Sequence, residues 1–188
     1  MIPLKPKITL RNCYLHFKTI TKHKLVVTTL CFKMGLIKQG IYHDLSKYSW
    51  IEFSSGARYY QGYRSPIDAE KEDIGYSQGW LHHKGRNKHH WEYWLDKNKN
   101  GVFAIEVPFN YVQEMVCDRI AACMIYRGKD YNQNIPLEYF LKGTDRLYMH
   151  PNTADLLEKM LTIVKDYPLP KAFERIQQLE SDLCSKSS

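Results

Sequence analysis

Eight histidines stand in this chain: His16, His23, His43, His82, His83, His89, His90 and His150. Seven precede residue 91, and four form two adjacent pairs. Neutral imidazole offers a nitrogen lone pair at physiological pH, which makes histidine the commonest metal ligand. Histidines gathered with carboxylates are the donor set of a first-row metal site. Any one of them alone reads as a surface or core side chain; the set carries the chemistry. His43-Asp44-Leu45-Ser46-Lys47 is the sharpest motif. Adjacent residues of a helix point about 100° apart. His43 and Asp44 can therefore share an ion only over a helix edge or end, and other segments must complete the ligand shell. His23 lies upstream, His83, His89 and His90 downstream. Asp118 interrupts the apolar stripe Met115-Val116-Cys117-Asp118-Arg119-Ile120. A carboxylate there is costly to bury unless it is paired or binds metal; an exposed Asp118–Arg119 helix edge is the alternative.

The elements that must position these residues read as helices punctuated by Gly, Pro and Asn. Apolar residues at helical spacing (Leu15, Ile20, Val27, Leu30, Met34) predict a first helix over 10–34, stopped by Gly35. A short piece over 36–46 follows. Ser49-Trp50-Ile51-Glu52 has the form of a capping box, so a helix should begin near Trp50 and fade by Gly62. One helix is expected over 68–84 despite Gly75 and Gly79, then a helical turn at 91–95 and a polar loop at 96–101. Pro108 opens a helix through Tyr126, with Val112, Met115, Val116, Ile120, Cys123 and Met124 as its core stripe and Gly128 as its stop. Pro136 and Pro151 each open another, and Phe173, Ile176, Leu179 and Leu183 mark a last helix over 171–183. Val102–Val107 is the sole strand candidate, a weak one. The expectation is a single all-α domain over 1–188 of about six to eight helices, the metal-site core at about 10–127 and C-terminal helices at 136–183, with a tail, Ser185-Lys186-Ser187-Ser188, that frays.

The ordered series resembles the HD-domain superfamily of metal-dependent phosphohydrolases, over approximately residues 10–127. It resembles more closely a group of small bacterial and phage-type proteins with a first-helix histidine, H-D-x-S-K, N-x-H-H-W-x-x-W and a late acidic helix. Here these are His23, His43-Asp44-Leu45-Ser46-Lys47, Asn87-Lys88-His89-His90-Trp91-Glu92-Tyr93-Trp94 and Asp118. The resemblance implies an HD-like helical bundle in which His23, His43, Asp44 and Asp118 are core ligands, with Asp44 bridging if two ions bind. It adds His83 and one of His89 or His90 as further ligands. His16 could replace His23, on the same side of the helix. Trp91-Glu92-Tyr93 departs from the superfamily's usual residues after the second histidine pair, which puts the metal count in doubt. The implied cofactor is one or two divalent ions (Mn, Fe, Zn, Ni or Co, with Mg possible). The implied chemistry is phosphoester hydrolysis, the metal polarising a phosphoryl oxygen and lowering the pKa of bound water from 15.7 towards about 7. Asp44 and Lys47 would be the catalytic residues. Lys47 with Lys84, Arg86, Asn87 and Lys88 would contact the substrate, although the basic loop residues also read as solvated and Asn87 as a support for a ligand histidine.

Composition sets the outer limits. The chain has 188 residues, 44% hydrophobic and 25% charged, the balance of one globular domain. No apolar run approaches the roughly 18 residues of a membrane span, so no membrane partner is expected. No secretory signal is apparent, and five cysteines without C-x-x-C read as reduced thiols of a cytoplasmic protein. The net charge of +7 favours an anionic partner: a small phosphoester or nucleotide, or nucleic acid. The aromatics Trp50, Tyr59, Tyr60, Tyr63, Trp80, Trp91, Tyr93 and Trp94 read as core and pocket wall. Two rival readings remain: a non-catalytic nucleotide or nucleic-acid binding module, and a His/carboxylate di-iron enzyme acting with oxygen.

Overall fold

The structure is a computed structural model that describes residues 6–186, with side chains described through residue 181. Among the described residues there are nine α-helices and one small hairpin, an all-α architecture. The helices are α1 (Leu10–Lys33), α2 (Ile37–Tyr42), α3 (Trp50–Arg58), α4 (Pro66–Ile74), α5 (Gln78–Lys84), α6 (Phe109–Arg127), α7 (Ile135–Lys142), α8 (Pro151–Asp166) and α9 (Leu169–Lys186). No helix among the described residues is long and apolar enough to cross a membrane.

The long helices α1 and α6 pack together at the centre, with α2 and α3 against α1 and α8 against α6. Helix α9 closes over α8. Val27, Cys31, Val112, Val116, Ile120, Leu157, Leu161 and Ile176 form a fully buried core. The buried face of α1 changes character along its length. His16, Ile20 and His23 occupy its first half; Val27, Leu30 and Cys31 occupy its second. One helix thus fastens the polar site to the apolar core.

Five expectations change. The single helix over 68–84 is two helices. Gly75 takes φ 82° and closes α4, and Ser77 caps α5 by accepting the Trp80 N–H at 3.0 Å. This split carries the helix count past eight. The loop at 96–101 is part of a hairpin, β1 (Leu95–Asn98) against β2 (Gly101–Ala104), with Asn98 paired to Gly101. Gly101 at φ 115° supplies the turn geometry that other residues avoid. Trp50 lies on the surface, 72% exposed, not in the core. Of the α6 stripe, Cys123 and Met124 are only half-buried. The terminal helix holds through Lys186; Ser187 and Ser188, with the side chains of Leu183 and Cys184, lie outside the described residues.

Candidate metal centre

Asp44 is the centre of the arrangement. It follows His43, the C-cap of α2, at φ 53°, the only positive φ of a non-glycine among the described residues. Aspartate tolerates this left-handed geometry better than most residues. Its two carboxylate oxygens serve two different groups. Oδ2 stands 3.1 Å from His43 Nε2 and 3.8 Å from His23 Nε2, and Asp118 Oδ1 closes that group at 2.9 Å from His23 Nε2. Oδ1 stands 3.2 Å from His83 Nε2 and 3.4 Å from His89 Nε2, and His90 Nε2 closes the second group at 2.9 Å from His83 Nε2. Within each group the donor atoms lie within 4.8 Å of one another.

The residues fit a metal. Two donors held at about 2.0–2.2 Å on one ion stand roughly 2.9–3.5 Å apart, and most separations here fall in that range. His23 Nε2, His43 Nε2, His89 Nε2 and Asp44 Oδ1 are buried without a hydrogen bond, and Asp44 Oδ2 is ion-paired with Lys47 Nζ. Buried polar atoms are normally paired, because leaving one unpaired costs about 1–3 kcal/mol. Four such atoms gathered around one carboxylate make a donor set that could hold an ion.

The opposite nitrogens are fastened. His43 Nδ1 and His89 Nδ1 donate to Glu114 Oε1 at 2.9 and 3.0 Å. His83 Nδ1 and His82 Nδ1 donate to Glu52 at 2.7 and 2.6 Å. A carboxylate can only accept, so these bonds place the proton on Nδ1 and leave Nε2 free to bind. Glu114, His43 and His89 also form a compact donor group, but its nitrogens are already satisfied. Asn87 donates to His83 O and Ser46 Oγ, which ties the α5 end to the turn after Asp44.

Charge is balanced inside. Burial works against ionised Asp44, yet His43, Lys47 and His83 hold its carboxyl well below the usual range. Asp118 is likewise depressed: burial opposes, and His23 and His43 prevail. Burial is outweighed at His43 and His83, whose pKa values are raised chiefly by Asp44. His90 is pushed well down by burial and by His89 and His83, so it is neutral. Lys47 Nζ pairs with Asp44 Oδ2 at 2.5 Å, and its pKa is raised despite burial.

The centre opens into a cavity of about 640 Å³, walled by Trp80, Trp91, Tyr63, Tyr126 and Tyr139 and by Lys47, Arg64, Lys71 and Arg119. Lys84, Arg86 and Lys88 do not line it. Arg86 instead bonds His82 O, and Lys88 lies over Tyr93 and Tyr111. His16 lines the cavity between Phe53 and Tyr60, outside both donor groups. His150 approaches only Glu106, at 4.0 Å.

Residues 12–163 match a family described as a family of unknown function, DUF5662. The chain belongs to the DUF5662 family. Every donor from His23 to Asp118 falls inside that span. No curated protein and no solved structure matches the chain. Glu52 and Glu114 are the site residues that sequence reasoning missed. The available signal was Glu114 standing four residues before Asp118, on the same face of α6.

Proposed function

We infer that this DUF5662 protein is a metal-dependent phosphoester hydrolase of HD-domain type, acting on a nucleotide or a related small phosphate. One observation carries the reading: the two oxygens of the buried Asp44 face two separate donor groups, Oδ2 towards His43 and His23 and Oδ1 towards His83 and His89, as a carboxylate shared by two ions would. Five imidazoles with two carboxylates favour transition metals such as Mn, Fe, Zn, Ni or Co over Mg. When bound, such ions polarise a phosphoryl oxygen and activate water.

The chain's own residues supply the rest. Asp44 and Asp118 stay ionised and counter the ions' charge. Glu52 and Glu114 hold the imidazoles with Nε2 turned inward. Lys47, half-buried beside Asp44 and lining the cavity, is placed to neutralise an anionic group entering it. Arg119 follows Asp118 directly; its Nη2 stands 3.6 Å from Asp145 Oδ2 and its Nε has no hydrogen bond, so an entering anion would compete with Asp145 for it. The aromatic walls suit a planar leaving group. These cations in the cavity favour phosphoester chemistry over the oxygen-dependent di-iron alternative, which has no need of them.

The test is metal analysis of protein purified without chelator, alongside a phosphoester panel. One to two equivalents of transition metal and metal-restored hydrolysis are expected. Asp44→Asn keeps a side chain that tolerates φ 53°, so it should stay folded while metal and hydrolysis vanish together. Wild-type turnover by a metal-free Asp44→Asn protein would reject the reading.

A further inference from the structure

The charge of the chain is segregated. Residues 1–58 hold ten Lys and Arg against two carboxylates, Asp44 and Glu52, and both of these are buried in the metal centre. The remainder of the chain is close to neutral, since the whole carries +7. Every exposed charge on the described part of this segment is therefore positive.

The same segment leaves apolar side chains in solvent. On α1, Leu10, Tyr14, Phe17, Leu25 and Phe32 are 91, 65, 49, 63 and 44% exposed. At 100° per residue they fall within an arc of about 80°, a stripe running the length of the helix and facing away from the core. Arg11, Lys18, Lys22 and Lys33 form the adjoining row. The stripe continues onto its neighbours. Phe17 packs on Tyr48 with ring centroids 6.0 Å apart, and Tyr48 donates to Thr21. Lys24 donates to the Ile41 carbonyl, which brings exposed Ile37, Ile41 and Tyr42 of α2 alongside. Trp50, the exposed first residue of α3, stands two residues after Tyr48. Scattered exposed apolar residues need no explanation, but a contiguous patch of this extent marks an interaction surface.

We propose that this face, α1 with α2 and the start of α3, docks the protein on an anionic phospholipid surface. Leu, Ile, Phe, Tyr and Trp side by side with a row of Lys and Arg is the make-up of a helix lying in a bilayer interface. Tyr and Trp suit the headgroup level, and the basic row suits the negative lipid charge. A helix that lies on a bilayer need not span it, so the lack of a spanning segment has no bearing on this surface. The observations favour lipid over the other occupants. Exposed aliphatic side chains add nothing to phosphate-backbone binding. A second copy docked by the same face would bring two basic rows together without an acidic residue to answer them. The surface lies on the solvent side of α1, opposite His16 and His23, so the proposal does not depend on the hydrolase reading.

The experiment is flotation of the protein as purified with phosphatidylcholine vesicles, with and without roughly one-third phosphatidylglycerol. Binding to the anionic vesicles alone is expected, weakening as salt rises from about 0.1 to about 0.5 M. Lys18→Glu with Lys22→Glu should lower binding by about thirty-fold or more. Leu25→Ser with Trp50→Ser should lower it without changing the net charge. These are exposed positions, and circular dichroism and bound metal should match wild type. Failure of wild type to float with anionic vesicles at low salt would overturn the proposal. So would equal flotation by all variants, or a dimer at micromolar concentration that Leu25→Ser with Trp50→Ser dissolves. Binding of duplex DNA at least as tight as vesicle binding, and insensitive to the Leu25/Trp50 change, would point to a nucleic-acid surface instead.

Discussion

Glu114 and Glu52 decide how the histidines can act. Each accepts from two imidazoles, and each is depressed in pKa despite burial, by His43 and His89 for Glu114 and by His83 and His82 for Glu52. Replacing Glu114 with Gln keeps the shape and removes the charge that makes His43 and His89 better donors. Titrating chelated protein with metal should show affinity lower by about 10–100-fold, the range for losing a group behind a ligand. The candidate ligands were legible because histidine and a mid-stripe aspartate are rare types in telling order. The glutamates were not, because Glu is common on surfaces and Glu52 stands where a capping box would use it. His16 makes a separate, pH-dependent prediction. Burial, with Lys47 nearby, pushes it down to about 4 from 6.5. The unfolded chain therefore takes up this proton first, so the folded state loses stability as pH falls from 6.5 towards 4. In urea denaturation of metal-free protein, wild type should lose about 2 kcal/mol more than His16→Gln between pH 7.5 and 5.

Two serines show how local sequence signals divide at the level of elements. Ser49 precedes α3 with a Glu three residues on, yet its side chain makes no capping bond and its Oγ is buried without a partner. Glu52 has turned inward to His82 and His83, so the box never forms. Ser77, preceding α5 without such a motif, is the working cap. It accepts the Trp80 N–H and donates to Glu70 Oε2 at 2.5 Å, where Ser55 also donates at 2.6 Å. Ser77→Ala should cost about 1–3 kcal/mol, from the lost cap and from a buried carboxylate left with one donor. Ser49→Ala should stay within about 0.5 kcal/mol. Equilibrium urea curves on the chelated protein separate the two. The helices of the bundle core were legible from period and Pro/Gly punctuation. The α4–α5 break was not, because a mid-helix Gly is often tolerated and only its φ of 82° shows that this one ends the helix. The hairpin was hidden because Asp96-Lys97-Asn98 carries no apolar alternation, and Val102 stays 70% exposed.

At the scale of the whole molecule, an ion held in the candidate centre would be coupled to the fold, since α1 and α6 each carry site and core residues on one buried side. An ion that binds the folded chain and not the unfolded one stabilises it by about 2.7 kcal/mol at a free concentration of about 100 Kd. For a domain of this size each kcal/mol moves Tm by about 2–4 °C, so chelation should lower Tm by roughly 5–10 °C per ion removed. The size of this drop should depend on pH. In the metal-free protein His43 and His83 hold protons to higher pH than free imidazole, and ligation must expel them. Each expelled proton weakens apparent affinity about tenfold per pH unit below its pKa. Those raised pKa values also support the metal-free fold below pH 6.5, and that support fades as pH rises through them. These are one linkage seen from two sides: the gap in Tm between loaded and chelated protein should be narrow at acid pH and widen towards pH 8. Differential scanning at several pH values with a fixed excess of metal measures it. A gap that stayed constant across that range would mean that the imidazoles of His43 and His83 are not the groups the metal displaces protons from.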